Sequence, residues 1–454
     1  FDQNYYEYEV PMSVTPWYTN NDDEIWPAEN NFDIKLSDLQ NLKINRPSST
    51  SVLSVVDTIL DNNVHLSVKG NPNLANITTL MIGIRNPDKD SNPFGVPDDG
   101  KGKCTIVWVN ELRLSEFDEK SGSAAIARLN AQLADFGNVA VSGNISTPGW
   151  GAIEQRVQQR QQETKMGLDA SSTLQLGKFF PKDWGVQMPM YLGFSENVQT
   201  PRYSPLQPDI QMTDLPTLNK PLKQKSQTFT KRRSINFTNV KIAPKKSATA
   251  DKGVGLPGAD DKGKPGTQSA PTNTDKPKFY GIDNFSVSYA YNETYFRDIN
   301  TDWRLQKQYQ GAFDYNFTNK PKEFKPLANL PVIKTSKYLK WLKEFNFYAG
   351  IKQMSFRTEM NRSYETSRIR NNSLELTGVY SDMLIQTQAQ KNWNWTRNYS
   401  MKYDLTKNLK TDFTASNIAL VGEPRGVINK NDVDWYQSYK DSVWSNIQHF
   451  GETT

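Results

Sequence analysis

Apolar and polar residues alternate with a period of two along the stretch WRLQKQYQGAFDYNF, Trp303–Phe317. Apart from Lys307 and Gly311, one row of the alternation is apolar and contains Trp303, Leu305, Tyr309, Phe313, Tyr315 and Phe317. Apart from Ala312, the other row is polar and contains Arg304, Gln306, Gln308, Gln310, Asp314 and Asn316. Successive side chains of a β-strand point to opposite faces, so this pattern predicts a strand with one apolar and one polar face.

The same alternation recurs in roughly ten segments between residues 122 and 420. Near the end of this region the apolar row contains Trp393, Trp395, Tyr399 and Tyr403, and the polar row contains Asn394, Thr396, Asn398 and Lys402. Some neighbouring segments are separated only by a short turn, such as the one containing Gly137, which is typical of hairpins. We therefore predict a large antiparallel sheet over residues 119–420.

Three other regions flank or interrupt these strands. Residues 1–118 carry short strand-like runs between Pro, Asn and Asp residues, which predicts a β-sandwich or jelly-roll-like domain. Its expected strands are Tyr5–Val10, Phe32–Leu36, Asn63–Val68, Thr78–Ile84 and Cys104–Leu114. Residues 243–278 are rich in Pro, Gly and Lys and lack aromatic residues, which predicts a flexible insertion between two strands.

Residues 421–454 are expected to form a loop and an amphipathic helix. Val433, Tyr436, Tyr439 and Val443 recur at helical spacing, and an aspartate lies near the expected start. We expect the helix to pack on the body of the protein, with a position on a membrane surface as the alternative.

A period of two does not by itself distinguish a soluble antiparallel sheet from a membrane β-barrel. The barrel is favoured because the segments are long, the polar rows are polar throughout, and aromatic residues crowd the strand ends. A barrel also explains a mean hydropathy of -0.71 together with 11% aromatic residues, because its interior is wet and only its outer face is apolar. The alternative is a surface β-protein whose N-terminal sandwich binds glycan or protein.

The chemistry of the chain gives little support to an enzyme or a nucleic-acid-binding protein. The net charge of +5 comes from 54 basic and 49 acidic residues, and the basic clusters are short. The two histidines, His65 and His449, are too far apart in sequence to suggest a metal site. His65 is expected on the surface of a strand and His449 at the end of the C-terminal helix. We predict no catalytic residues, no cofactor and no metal.

Two long stretches of the sequence are distinctive: VWVNELRLSEFDEKSGSAAIARLNAQLADFGNVAVSGNISTPGWGAIEQR, Val107–Arg156, and FFPKDWGVQMPMYLGFSENVQTPRYSPLQPDI, Phe179–Ile210. Both resemble the SprA/Sov family of outer-membrane translocons. The resemblance extends to the N-terminal stretches YYEYEVPM and IWPAENNFDI.

The resemblance implies a function in the type 9 secretion system of Bacteroidetes, in which a giant single-chain barrel exports folded cargo proteins. It implies a location in the outer membrane and, in relatives, support of gliding motility. The implied partners are a PorV-type partner barrel, a plug-like protein, cargo with C-terminal secretion signals, and the remaining segments of the same barrel. The chain is shorter than such a protein, so we expect it to be a fragment.

The expected fold is therefore all-β: a section of a very large antiparallel transmembrane β-barrel, with an N-terminal sandwich-like domain and a C-terminal helix. In this interpretation the apolar rows around Trp303–Phe317 and Trp393–Tyr403 face lipid or a partner barrel. The polar rows, from Arg304 to Asn316 and from Asn394 to Lys402, line the lumen. Lys307 is an exception on the apolar row: either its side chain reaches the membrane surface, or that end of the strand lies outside the bilayer.

Overall fold

The computed structural model describes residues 4–46, 54–60, 64–87, 94, 101–116, 121–156, 159–214, 220–243, 278–326, 344–372 and 385–450. Nearly all of the predicted insertion, residues 244–277, lies outside these residues, so its predicted flexibility stays a prediction. Over the described residues the chain is mostly β-structure in antiparallel sheets.

The N-terminal part forms one small sheet with a helix packed against it. The sheet has the order β1-β3-β2 and its strands are β1 (Tyr5–Glu9), β2 (Val56–Leu60) and β3 (Val64–Lys69). The helices are α1 (Asp22–Ile25) and α2 (Leu36–Ile44). Leu39 and Leu42 of α2 pack against Val64, Leu66 and Val68 of the central strand and form a compact hydrophobic core.

The predicted β-sandwich is wrong for the described residues of 1–118, which contain one sheet rather than two packed sheets. The expected strand at Phe32–Leu36 instead leads into α2, because Leu36, Leu39 and Leu42 recur at helical spacing. The segments Thr78–Ile84 and Cys104–Leu114 are strand-like in sequence but are exposed and belong to no described sheet. A strand-like run forms a strand only where a neighbouring strand satisfies the backbone hydrogen bonds.

His65 is buried, contrary to the expected surface position. Its Nδ1 lies 2.7 Å from Glu9 Oε2, and its Nε2 lies 3.1 Å from Asp57 Oδ2. Both carboxylates reach the ring because β3 is the central strand, between β1 and β2. Burial lowers the pKa of His65, but the hydrogen bonds to Asp57 and Glu9 outweigh burial, so the pKa is raised above its ordinary value.

The second sheet is large and contains nearly all the remaining strands. Its path runs through β4 (Ala124–Leu133), β5 (Gly137–Ser146), β6 (Glu163–Gln175), β8 (Pro189–Pro201), β9 (Thr228–Ile242), β10 (Phe285–Arg297), β11 (Thr301–Thr318), β14 (Gln353–Ile369), β15 (Gln388–Asp404) and β16 (Lys410–Leu420). The short strand β7 (Val186–Gln187) pairs with β9, and β12 (Glu323–Phe324) pairs with β13 (Phe347–Tyr348) in a separate ribbon.

Each long strand of the path pairs antiparallel with the next one along the chain. This meander confirms the predicted large antiparallel sheet. Among the described residues β4 and β16 are the two ends of the path and do not pair with each other, so this part of the chain does not form a closed barrel. Each end therefore presents a row of backbone groups that a further strand could pair with.

The small N-terminal unit packs against the connection between β8 and β9, which includes helix α3 (Lys220–Ser226). The Lys43 ammonium lies 3.7 Å from Asp209 Oδ2, and both side chains are 4% exposed. The Tyr6 hydroxyl donates a hydrogen bond to the same carboxylate at 3.1 Å. Burial lowers the pKa of Lys43 to about 8, although Asp209 raises it. Ile44 of α2 packs against an apolar cluster of this connection formed by Leu206, Ile210, Met212 and Leu222.

The C-terminal segment contains the predicted amphipathic helix, α4 (Val433–Gln448). Asp432 caps its first turn, because its side chain accepts a hydrogen bond from the backbone N–H of Trp435 at 3.0 Å. His449 follows its last residue, as expected from the sequence. The helix packs on the large sheet through Tyr439 and Val443, in agreement with the first of the two expected positions.

Candidate functional site: the two faces of the large sheet

The strand register assigns every residue of the large sheet to one of two faces. Residues directly opposite one another in paired strands lie on the same face, and successive residues lie on opposite faces. Tyr315 of β11, for example, is opposite Phe356 of β14, which is opposite Tyr399 of β15. We call the face that carries these three residues the apolar face and the opposite one the polar face.

The structure brings the residues singled out in β11 and β15 together in the two expected sets. The apolar face carries Trp303, Leu305, Tyr309, Phe313, Tyr315, Phe317, Trp393, Trp395, Tyr399 and Tyr403. The polar face carries Arg304, Gln306, Gln308, Gln310, Asp314, Asn316, Asn394, Thr396, Asn398 and Lys402. What each face contacts in the whole protein stays a prediction at this point.

The sheet curves towards its polar face. A depression of ≈ 680 Å³ on this face is lined by residues of six neighbouring strands, β4 to β6 and β8 to β10. A second depression of ≈ 200 Å³ is lined by residues of β10, β11, β14 and β15, including Gln308, Gln310 and Asn394. One depression can contact six adjacent strands only if the sheet bends around it, so the polar face is concave.

Hydroxyl and amide groups dominate the polar face. The row through Asn130 of β4 continues with Ala140, Ser171, Gly193, Ser234, Asn292, Gln308, Ser363 and Asn392. Charged residues are present but are partly paired: Arg357 lies 3.0 Å from Asp314 and 2.8 Å from Glu359. Such a surface holds water well and offers few apolar contacts to a passing molecule. No cluster of potential metal ligands occurs in the part of the chain that the structure describes.

The apolar face of β4, β5 and β6 is free of charge and uncovered by the described chain. Its residues on β4 are Ala125, Ala127, Leu129, Ala131 and Leu133, and those on β6 include Met166, Leu168, Ala170 and Leu174. Leu129 is 65% exposed and Met166 is 52% exposed. A contiguous apolar surface of this kind marks a place where another apolar phase or a partner makes contact.

Aromatic residues cover the apolar face at the end of β10 and β11 that lies away from their connecting turn. Phe279 packs edge-on against Tyr315 and Phe317, with ring centroids 5.7 and 5.4 Å apart. The Tyr315 hydroxyl also donates a hydrogen bond to the Phe279 carbonyl oxygen at 2.8 Å. Tyr315 and Phe317 are therefore buried, and the outermost groups here are Phe279 and its exposed neighbour Tyr280.

The apolar face of β14 to β16 is covered by α4 and the segment before it around Trp393 and Trp395, whereas Tyr399 and Phe413 on the same face are exposed. Trp393 and Trp395 contact a cluster formed by Val421, Tyr439 and Val443. The Phe450 ring, just beyond the helix, stacks on Trp395 with the centroids 6.0 Å apart. The two tryptophans thus lie beneath the protein's own helix.

A buried ion pair attaches this covering segment to the sheet. Arg362 of β14 donates from Nε to Glu423 Oε1 at 2.7 Å and from Nη2 to Oε2 at 2.8 Å. Arg362 Nη2 also donates to the Tyr439 hydroxyl oxygen at 2.9 Å, and that hydroxyl donates to Glu423. Two parallel hydrogen bonds between a guanidinium and a carboxylate are strong and directional, so they fix the position of α4 on β14.

The electrostatics of this cluster favour the ionised carboxylate. Burial raises the pKa of Glu423, but hydrogen bonds from Arg362 and Tyr439 outweigh it, so the pKa is lowered. Burial and the adjacent Glu423 raise the pKa of the Tyr439 hydroxyl. The carboxylate therefore stays charged and the hydroxyl stays protonated at neutral pH, as the hydrogen bonds require.

The sequence alone did not indicate this cluster. Glu423 lies in an irregular segment and Arg362 in a strand rich in polar residues, and no spacing connects them. The helical period around Tyr439 was the one available signal, and it showed the buried side of α4 without showing its partner.

No helix among the described residues is long and apolar enough to cross a membrane.

The first part of the chain matches a known protein family. Residues 1–215 match a family described as motility related/secretion protein, SprA_N. The match covers the small N-terminal unit and the large sheet as far as the connection after β8. A search of the curated proteins found no match to the chain.

Proposed function

Because the chain belongs to the SprA/Sov family of motility-related and secretion proteins, we propose that its large sheet is a section of the wall of a protein-conducting outer-membrane β-barrel. The barrel is that of the type 9 secretion system in Bacteroidetes. Its concave polar face lines the export channel, and its apolar face is directed outward.

One observation carries this proposal: the curvature and the polarity of the sheet agree. The sheet bends towards its amide- and hydroxyl-rich face, and the opposite, convex face carries the continuous apolar rows. A soluble β-protein buries its apolar face inside, so its polar face is the convex one. The arrangement found here is the inverse and suits a water-filled barrel in lipid.

The proposed mechanism is passive. A lumen lined by hydrated amides and hydroxyls gives a folded cargo protein few apolar contacts, so cargo can pass without being retained. The charge of Arg357 partly compensates those of Asp314 and Glu359 and limits electrostatic trapping. No residue is assigned a catalytic role, and the protein acts as a conduit rather than as an enzyme.

The channel works with partners in this proposal. The unpaired edges of β4 and β16 pair with the remaining segments of the same barrel, because a free edge in lipid leaves backbone groups unsatisfied. Further proposed partners are a PorV-type partner barrel, a plug-like protein that closes the empty pore, and cargo with C-terminal secretion signals.

Extraction and electrophoresis of the full-length protein test the proposal. A closed barrel in the outer membrane requires detergent for extraction and migrates differently before and after boiling. Release into buffer without detergent, with no effect of boiling on mobility, would contradict it. That result would favour a surface β-protein that binds glycan or protein through its N-terminal unit.

A further inference from the structure

The apolar face carries a boundary between charged and uncharged residues, and the boundary runs obliquely across the strands. Met190 of β8 and Phe317 of β11 lie at the same end of the large sheet. Counted from that end, each strand has a first charged residue on the apolar face. On successive strands from β8 to β15 these residues are Glu196, Arg233, Glu293, Lys307, Arg362 and Arg397.

The register shows how far this boundary moves along the strands. Glu196 of β8 lies in the hydrogen-bonded row of Leu305, whereas Arg397 of β15 lies in the row of Phe313. Between those two rows the chain advances eight residues, about 27 Å, while five strand spacings cover about 24 Å. Arg233, Glu293 and Lys307 share one row, so the shift falls on the strands at either side. Averaged over the five spacings, the boundary is inclined at about 45–50° to the rows, close to the ~35–45° tilt of strands in outer-membrane barrels.

The other end of the uncharged band moves in the same direction. On β6 the band ends at Leu174, in the row of Gly311, whereas on β11 it extends to Phe317. On β11 the uncharged part of the row spans 309–317, and on β10 and β14 it spans 285–291 and 354–360. On β6 the apolar face carries no charged residue from Thr164 to Leu174. The nine-residue span on β11 matches the ~9–11 residues that a tilted strand needs to cross the hydrocarbon of a bilayer.

We propose that this oblique band is the surface that contacts the acyl chains of the membrane lipids, and that the row of Glu293 and Lys307 lies at the headgroup level. The proposal rests on the proposed outer-membrane location and adds where the bilayer begins and ends. Within the band, from β6 to β14, the apolar face carries no charged residue. Tyr291 and Tyr309 lie next to the charged row, where aromatic side chains favour the interface.

Two contacts outside the band agree with this placement. Lys307 Nζ lies 3.8 Å from Glu293 Oε2, and Lys231 Nζ lies 3.5 Å from Glu196 Oε2, so the first charged rows are paired between strands. Helix α4 lies on the charged side of the boundary, over Trp393 and Trp395. Its outward side chains include Asp434, Gln437 and Asp441, which suit water and would be costly in hydrocarbon.

Leu168 and Leu305 provide a matched test because they lie in one hydrogen-bonded row on the same face. An oblique boundary places Leu168 in hydrocarbon and Leu305 outside it. A boundary parallel to the rows would place both residues on the same side of it. Phe313 serves as a second position inside the band. Cysteines at the three positions, in full-length protein without other reactive thiols, are labelled with a fluorophore in vesicles containing nitroxide lipids.

We expect lipid nitroxides to quench fluorescence at 168 and 313 strongly and at 305 weakly. Equal quenching at 168 and 305 in a membrane-inserted protein overturns the oblique band while leaving the channel proposal standing. A protein that fails to enter the membrane in its unsubstituted form overturns the channel proposal itself.

The unsubstituted protein gives a second measurement that does not depend on the folding of the variants. In vesicles, Lys231 and Lys307 are expected to react with a water-soluble acylating reagent. Protection of both lysines in vesicles, lost on transfer to detergent, would place them in lipid and overturn the proposed boundary.

Discussion

The two ends of the large sheet carry the same alternation but have different apolar faces. On β4 to β6 this face is charge-free and exposed, with Leu129 and Met166 facing outward. On β14 and β15 it carries Arg362, Lys391 and Arg397, and its part around Trp393 and Trp395 is covered by α4. Alternation therefore identifies a face, whereas the charges on that face indicate whether protein or an apolar phase covers it.

The largest expected effect on stability comes from breaking the Arg362–Glu423 ion pair, which attaches α4 to the β14–β16 end of the sheet. Glu423→Ala leaves Arg362, whose side chain is 19% exposed, without its carboxylate partner, and we expect a cost of about 3 kcal/mol, the lower end for a buried pair. We expect faster hydrogen–deuterium exchange in α4 and no change in β4 to β6. Asp441→Ala, on the exposed side of the same helix, is the matched control. Equal exchange in both variants would show that the ion pair does not hold α4.

A charge introduced at the other end of the sheet should affect membrane assembly. Leu129→Arg places a cation on the exposed apolar face of β4, which costs about 2–4 kcal/mol near the middle of a bilayer. Asn130→Arg introduces the same side chain one residue along, on the polar face. The fraction of full-length protein with heat-modifiable mobility measures assembly. The account predicts a lower fraction for Leu129→Arg and would be contradicted by the reverse order.

The apolar contacts beneath α4 should make a smaller contribution. Val443 is buried against the sheet, whereas Val433 on the same helix is 76% exposed. Val443→Ala removes two methyl groups from this contact and is expected to weaken docking by about 1–2 kcal/mol. Val433→Ala should have no measurable effect. Limited proteolysis of the segment between β16 and α4 compares the two variants, and we expect faster cleavage in Val443→Ala. Equal cleavage rates would argue against the observed packing.

The smallest effect concerns pH and should be confined to the N-terminal unit. His65 has a raised pKa, so its stabilisation is fully present below the unfolded-state value of about 6.5 and is lost as pH rises through the folded-state value. Exchange protection of β3, corrected for intrinsic rates, should fall between pH 6 and pH 9. In His65→Gln this dependence should disappear. A pH response of the same size in that variant would assign it to other groups.

The sequence predicted the large sheet well because its strands alternate over long distances. The β11 residues Trp303 to Phe317 form part of a strand from Thr301 to Thr318, and both predicted sets fall on single faces. Helix α4 could also be predicted from the sequence, because Tyr439 and Val443 recur with the helical period. Nothing in the surrounding structure requires the glycine at 311, where an added Cβ would meet no atom within 4 Å.

Features that depend on distant partners could not be predicted. Thr78–Ile84 is a strand-like apolar run, yet no strand of the described chain pairs with it. His65 looked like a surface residue because the carboxylates around it come from other strands, at positions 9 and 57. The cover over Trp393 and Trp395 likewise depends on Arg362 and Glu423, which are 61 residues apart in sequence.

We propose that the large sheet is a channel wall with one wet face and one lipid face. Strand β4 allows the most direct test of this proposal, because both of its faces are largely exposed in the structure. Single cysteines from Ala125 to Gln132 in the full-length protein can be probed in vesicles with a water-soluble thiol reagent and with lipid-borne nitroxides. We expect accessibility to alternate along β4: positions 126, 128, 130 and 132 react with the reagent, and positions 125, 127, 129 and 131 contact lipid. Uniform reaction with the water-soluble reagent at all eight positions would contradict a channel wall with one wet face and one lipid face.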